Sequence, residues 1–254
     1  HSMNKLKKIQ AIKKKLAKDI PSIGSWIQIP EASSAEILGD AGYDWVAVDL
    51  EHGLIGENAL PGLFRALELG DTLPLARISE VSKDNCKKAL DAGAGGLIIP
   101  MIETAEDLKT AIKFSCWPPN GERGVGYSRA NLFGKRFFDY IKEAQNPFIV
   151  AMIENKQALE NIDEITKVKG LNAILIGPYD LSASLGNAGN FENKEFLKAQ
   201  EKILAHSKIS KVPCGVHQVA PDKNELKKLI KQGFTFIPYS IDSVFLEYYS
   251  KYPL

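Results

Sequence analysis

The sequence predicts a single (β/α)8 barrel, the TIM-barrel class of α/β fold. Three observations carry that expectation. The chain has 254 residues, close to the roughly 250 of one such barrel. Eight short apolar runs rich in Val and Ile recur along it without strict alternation, as strands buried on both faces do. Amphipathic segments separate the runs and composition does not shift between them, so 1–254 reads as one domain. An open, doubly wound sheet is the competing architecture, but it does not ordinarily need eight evenly spaced strands.

The elements follow in order. His1-Ser2-Met3 reads as a tag remnant, and Lys5 to Lys18 as an extra, solvated N-terminal helix. The strand runs are Ile23–Ile29, Trp45–Leu50, Leu73–Ile78, Gly96–Ile99, Phe148–Ile153, Ala173–Ile176, Cys214–Val216 and Thr235–Pro238. Ser34 offers an N-cap for a helix over Ala35–Ala41, which Gly42 can end. Glu57–Leu69 stops at Gly70, and Ser82 can cap Lys83–Ala92 before Gly93. Thr104-Ala105-Glu106-Asp107 opens the next helix as a capping-box-like pattern. Gln157–Val168, Lys194–His206 and Pro221–Lys231 complete the helical segments. Between strands four and five, Met101 to Asn146 holds a helix and then a long loop around Gly121-Glu122-Arg123-Gly124-Val125-Gly126. That string does not follow a strand and open a helix, so it is not a dinucleotide fingerprint. It reads as an anion-contacting or lid loop.

Composition narrows the partners. The net charge of +1 gives no long-range pull toward nucleic acid or an anionic membrane. Three widely spaced cysteines, Cys86, Cys116 and Cys214, argue against a disulfide framework or zinc knuckle and suit a reducing cytoplasm. No apolar run reaches the ~18 residues of a membrane span.

Active sites of this fold occupy the C-terminal ends of the strands, so the residues there are the candidates. Strand one ends at Gln28, strand two in Glu51-His52-Gly53, strand three in Arg77, strand five in Glu154, strand six in Gly177-Pro178-Tyr179-Asp180 and strand seven in His217-Gln218. Glu154 and Asp180, on adjacent strands, suit a hard divalent cation with water or substrate oxygens filling the other positions. Capping of the following helix is the alternative for each. His52, after Asp49-Leu50-Glu51, is placed to move protons near neutral pH, or is an ordinary loop histidine. Arg77 at a buried strand end needs an anion. A substrate oxygen would serve, and so would a salt bridge to Asp49 or Glu51. His217 either lines the site or is a satisfied structural histidine.

Four strings carry a family likeness. They are Val48-Asp49-Leu50-Glu51-His52-Gly53, Pro119-Asn120-Gly121-Glu122-Arg123-Gly124-Val125-Gly126, Met152-Ile153-Glu154-Asn155 and Ile176-Gly177-Pro178-Tyr179-Asp180-Leu181-Ser182 continuing to Gly186. In this order they resemble the HpcH/HpaI aldolase family, the group of 4-hydroxy-2-oxoheptane-1,7-dioate and 2-dehydro-3-deoxyglucarate aldolases. The resemblance runs from about Gly24 to the C-terminus.

The resemblance implies a class II pyruvate aldolase using Mg²⁺, Mn²⁺ or Co²⁺. Glu154 and Asp180 match the metal ligands, and Arg77 the arginine that contacts the pyruvate keto or enolate oxygen. His52 matches the histidine that activates a water or positions the base. Backbone amides near Tyr179 and Asp180 match the cradle for the pyruvate carboxylate. It also implies a hexamer, a trimer of dimers with an exchanged C-terminal helix. Met152 departs from the usual Gln two residues before the metal Glu, and Leu50 and Gly53 depart from the Asp-Gly-Glu-His-Ala form, which puts the aldehyde in doubt. No lysine stands at the strand-six end, so a Schiff base is disfavoured. The rival expectations are an oxaloacetate decarboxylase, a citrate-lyase-like CoA enzyme on the same scaffold, and a non-catalytic 2-oxo acid barrel.

Overall fold

The computed structural model describes residues 3–253. His1 and Ser2 of the tag-like start lie outside the described residues. Eight strands are present: β1 (Ser22–Ile27), β2 (Trp45–Asp49), β3 (Leu73–Arg77), β4 (Gly96–Ile99), β5 (Phe148–Ile153), β6 (Ala173–Ile176), β7 (Cys214–Val216) and β8 (Phe236–Pro238). They pair in parallel in the order β7-β6-β5-β4-β3-β2-β1-β8. A parallel bridge between Gln218 and Tyr239 joins the two outer strands just beyond their ends. The Gln218 amide donates to the Pro238 carbonyl at 3.0 Å and the Ser240 amide to the Gln218 carbonyl at 2.7 Å. The barrel the sequence predicts is thereby all but closed.

Strand parity sorts the core. Side chains alternate between faces along a strand. Trp26, Trp45, Ala47, Leu73, Leu75, Ile98, Phe148, Val150, Met152, Leu175 and Phe236 form one buried cluster inside the barrel. Their sequence neighbours Val46, Val48, Ala76, Leu97, Ile99, Ile149, Ile153 and Ile174 join the cluster shared with the helices. Trp45 and Phe236 stack with centroids 4.3 Å apart. Burying an aromatic of that size stabilises the fold by about 3 kcal/mol.

Among the described residues twelve α-helices accompany the sheet. The first, α1 (Lys5–Leu16), is the N-terminal helix the sequence predicts; it inserts Ile9, Ile12 and Leu16 into the inner cluster. It therefore plugs the N-terminal mouth of the barrel and is not merely solvated. α2 (Ala32–Asp40) starts earlier than expected: Glu31 caps it, accepting from the Ser33 amide, while Ser34 donates elsewhere. α3 (Leu60–Leu69) and α4 (Lys83–Asp91) follow β2 and β3, with Ser82 capping α4 as predicted. α5 (Ala105–Ser115) carries the full Thr104–Asp107 capping box. α6 (Phe137–Gln145) ends the long β4–β5 connection. The helix expected at Gln157–Val168 breaks at Asn161 into α7 (Lys156–Glu160) and α8 (Ile162–Ile165). α9 (Pro178–Ser184) is a short helix on the Gly-Pro-Tyr-Asp turn. α10 (Lys194–Ser210) and α11 (Lys223–Gln232) precede β7 and β8.

The last helix, α12 (Asp242–Ser250), rests its first half on the barrel through Phe245, 6.0 Å from the Tyr239 ring. Only Asp242 of it is buried, and Leu246, Tyr248 and Tyr249 are exposed. A groove of about 480 Å³ stays open at the outer surface, lined by Ile23, Tyr43, Leu226, Ile230 and Tyr239. No helix among the described residues is long and apolar enough to cross a membrane.

Candidate active site

Strand parity also builds the site. Two residues beyond the inward-facing Trp26, Ala47, Leu75 and Met152 stand Gln28, Asp49, Arg77 and Glu154. All four therefore turn toward the barrel axis at its C-terminal rim. Asp49 and Glu154 are essentially fully buried and Arg77 is 8% exposed.

On the β2–β3 side the charges are matched. The Arg77 Nε and Nη2 donate to the two Asp49 oxygens at 2.9 and 2.6 Å, a bidentate fork. Asp49 Oδ1 also accepts from the Glu51 and His52 amides at 3.0 and 3.2 Å. Its Oδ2 accepts from the Gln28 side chain at 3.0 Å. Burial pushes the Asp49 carboxyl up, but these donors and the guanidinium outweigh it and hold it below the usual carboxylate range. The Arg77 guanidinium lies over the Trp26 ring, 4.4 Å from its centroid. Its remaining Nη1 faces Glu51 Oε2 at 3.3 Å and Met152 Sδ at 4.0 Å. The salt bridges that the sequence allowed as alternatives for Arg77 thus both exist, to Asp49 and to Glu51.

On the β5–β6 side they are not. Glu154 Oε1 accepts from the Met101 amide at 2.6 Å. Met101 adopts φ 52°, left-handed backbone that side chains other than Gly resist, to present that amide. Among the described residues Glu154 has no ion pair. Burial first, and then the Glu51 and Asp180 charges, push its carboxyl up to about 7. Asp180 stands in the first turn of α9 and is exposed. Neither carboxylate caps a helix: Asn155 caps α7, and no side chain caps α9. The capping alternative therefore fails for both. Gly177 passes so close that a Cβ there would stand 2.5 Å from Glu154 Oε2, so a larger residue would displace the carboxylate.

These residues suit a divalent cation. Asp49 and Glu51 pair with the one guanidinium, while the charges of Glu51 and Asp180 act on Glu154, which leaves an excess of negative charge at a buried carboxylate with few donors. Glu154 and Asp180 supply two oxygen donors. Among the described residues no group of three or more His, Cys, Asp or Glu is arranged to hold a metal. The remaining positions of a hard cation's shell would belong to water and substrate.

The other sequence candidates take distinct places. The His52 side chain is 58% exposed, its Nε2 3.9 Å from Glu51 Oε2. It stands free at the rim, next to a carboxyl that burial raises. Tyr179 is exposed, packed edge-on against Phe191. The amides of Tyr179 and Asp180, in the first turn of α9, have no intrahelical acceptor. His217 is half-buried behind Trp26, ring centroids 5.5 Å apart, with Nε2 3.2 Å from the Ser240 carbonyl. Burial lowers its pKa to about 4, which marks a neutral structural imidazole.

The Gly121–Gly126 loop does not cover this rim. The Glu122 and Arg123 amides donate to the Lys113 and Cys116 carbonyls at the far end of α5, on the N-terminal side of the barrel. The Arg123 side chain is buried, donating to the Tyr140 hydroxyl at 3.0 Å and lying 3.6 Å from Asp91. It sits inside the packing of its own chain, with its charge opposite Asp91.

Comparison with known proteins agrees with this geometry. The family model described as HpcH/HpaI aldolase/citrate lyase matches residues 22–246. A 5-keto-4-deoxy-D-glucarate aldolase from Citrobacter koseri is 33% identical over 221 residues, 87% of this chain and 85% of the relative. Among solved structures, an HpcH/HpaI aldolase/citrate lyase family protein from Burkholderia cenocepacia superposes with a TM-score of 0.89 at 30% identity. That match covers 95% of this chain and 96% of that one. A citrate synthase superposes with a TM-score of 0.80 at 26% identity, over 94% of this chain and 93% of that one.

Proposed function

The chain belongs to the HpcH/HpaI aldolase/citrate lyase family and is a carbon–carbon lyase, and on that premise we propose that it is a metal-dependent aldolase joining pyruvate to an aldehyde. In the cleavage direction its substrate is a 4-hydroxy-2-oxo acid. The observation that carries this reading is the pairing, on one rim, of a buried carboxylate that has no ion pair, Glu154, with a guanidinium held in place by Asp49 and Glu51.

Glu154 and Asp180 would hold Mg²⁺, Mn²⁺ or Co²⁺. When bound, such an ion supplies Lewis-acid stabilisation of the negative charge that collects on the keto oxygen as the C3–C4 bond breaks. The chain's own groups do the rest. Arg77 Nη1 adds positive charge beside that oxygen, in a site that Asp49 keeps rigid. The amides of Tyr179 and Asp180 cradle the carboxylate at the start of α9. His52, directly or through water, takes the proton from the C4 hydroxyl as the aldehyde leaves. Trp26 and Met152 lie against the Arg77 guanidinium as the apolar floor of the site.

Decarboxylation of oxaloacetate draws on the same stabilised charge and belongs with this reading as a side activity. The three cysteines are free and buried, which suits the cytoplasm. The open groove beside α11 and the exposed apolar side of α12 suit a hexamer in which neighbouring chains exchange that helix. The test is pyruvate with a panel of aldehydes, and 5-keto-4-deoxy-D-glucarate in the cleavage direction, each with several divalent metals. Adducts or released pyruvate that vanish with EDTA support the reading. Equal turnover in EDTA would sink it.

A further inference from the structure

Gln28 follows β1 and is engaged at every part of its length. Its amide donates to Asp242 Oδ1 at 2.8 Å. Its side-chain Oε1 accepts from the Ser243 hydroxyl at 3.1 Å. Its Nε2 donates to Asp49 Oδ2 at 3.0 Å. Asp242 is itself buried and over-supplied with donors: the Ile29 amide at 3.1 Å, the Ser34 hydroxyl at 3.0 Å and the Ser243 amide at 2.8 Å. The first turn of α12 is thus riveted to the end of β1, and Gln28 carries that rivet inward to the Asp49 carboxylate.

We propose that Gln28 is a positioning residue for the lyase reaction: by fixing Asp49 between the start of α12 and Arg77, it sets the direction in which the Arg77 Nη1 points. The proposal rests on the reading that Arg77 meets the substrate oxygen. The physical basis is geometric. Asp49 makes five hydrogen bonds, and two of these aim the Arg77 fork. Two of the others come from loop amides, which follow the loop. Apart from the Arg77 fork itself, only the Gln28 bond ties the carboxylate laterally to a residue of a neighbouring strand end. Without it, the carboxylate and the fork it holds can rotate together, and Nη1 swings relative to the rim. A catalytic donor misplaced by a fraction of an ångström loses a large share of its effect.

Exchange of the pyruvate methyl protons in D2O, followed by NMR with Mn²⁺ present, reads charge stabilisation at the keto oxygen without any aldehyde. Gln28→Leu should lower kcat/KM about tenfold, chiefly in kcat. Ser243→Ala, one bond further out, should lower it about twofold to threefold. Arg77→Lys removes the fork, so on that background Gln28→Leu should change kcat/KM by less than about twofold. A purely structural Gln28 would lower the melting temperature and leave kcat/KM of the folded enzyme unchanged. That result overturns the proposal, as does a second tenfold loss on the Arg77→Lys background. Should Gln28→Leu not fold, the isosteric Gln28→Glu sets a carboxylate against Asp49, and unchanged kcat/KM there overturns the proposal equally. If Arg77→Lys falls while both Gln28 variants match the parent, Gln28 is eliminated and the reading of Arg77 stands. If Arg77→Lys itself keeps full exchange, that reading fails and the proposal with it.

Discussion

On the β2–β3 side of the rim, Asp49 is fully buried and divides its oxygens among Arg77, Gln28 and two backbone amides. On the β5–β6 side, Glu154 is buried almost as deeply and accepts one amide, from Met101. Two carboxylates at the same depth therefore differ in state: one is held well ionised, the other is raised to about 7. The difference separates architecture from function. A carboxylate already neutralised by a guanidinium has little charge left for a cation. A carboxylate left short of donors has room for a cation and a reason to take one.

The largest expected effect breaks the second side. Glu154→Gln should abolish metal binding by calorimetry and lower lyase turnover at least about a hundredfold. In the metal-free protein the same change should leave the melting temperature level or raise it, because it removes a poorly solvated carboxylate. Asp49→Asn should do the reverse. It leaves Arg77 buried without a full partner and should destabilise by about 3 kcal/mol in denaturant unfolding. If Glu154→Gln unfolds the protein and Asp49→Asn does not, the contrast between the two sides is wrong.

The contrast also has a pH signature. Below about 7 the metal-free Glu154 holds a proton that a bound cation must displace. Metal affinity should therefore weaken by up to about tenfold per pH unit as pH falls below that value. Calorimetry at pH 6 in buffers of differing ionisation enthalpy should show release of about one proton. Release that is absent, or equal at pH 8, would place the proton elsewhere.

A smaller effect belongs to the barrel interior. His217 titrates at about 4 in the fold, against 6.5 for an ordinary histidine. The unfolded chain thus binds the proton first as pH falls, so stability is full above about 6.5 and is lost progressively toward 4. The melting temperature should track that window, and His217→Gln should flatten it. An unchanged profile would show that other groups dominate.

Much of this was legible in the sequence, for particular reasons. Arg77, Glu154 and Asp180 end apolar runs, and a parallel barrel brings every strand end to one rim. The partnership of Asp49 with Arg77 was foreseeable as one of two options, because β2 and β3 are neighbours and pair Asp49 with Arg77 in register. The role of Gln28 was not. Its partners Asp242 and Ser243 lie more than 200 residues away in sequence, and the contact exists only once β1 meets α12. The Met101 amide was likewise hidden, since no side chain announces it. The loop at Gly121–Gly126 misled because glycine and arginine together suggest an anion. What decides its place is that α5 returns the chain to the opposite end of the barrel, where Arg123 is buried beside Tyr140 and Asp91.

The central claim is that the rim holding Arg77, Glu154 and Asp180 stabilises the charge of a pyruvate-derived enolate with a divalent cation. Its most direct measurement is exchange of pyruvate methyl protons in D2O by the EDTA-treated protein, before and after adding Mg²⁺, Mn²⁺ or Co²⁺. The account predicts no exchange above the buffer rate without metal and rapid exchange with at least one of the three. Full exchange in EDTA, or none with any metal, would contradict it.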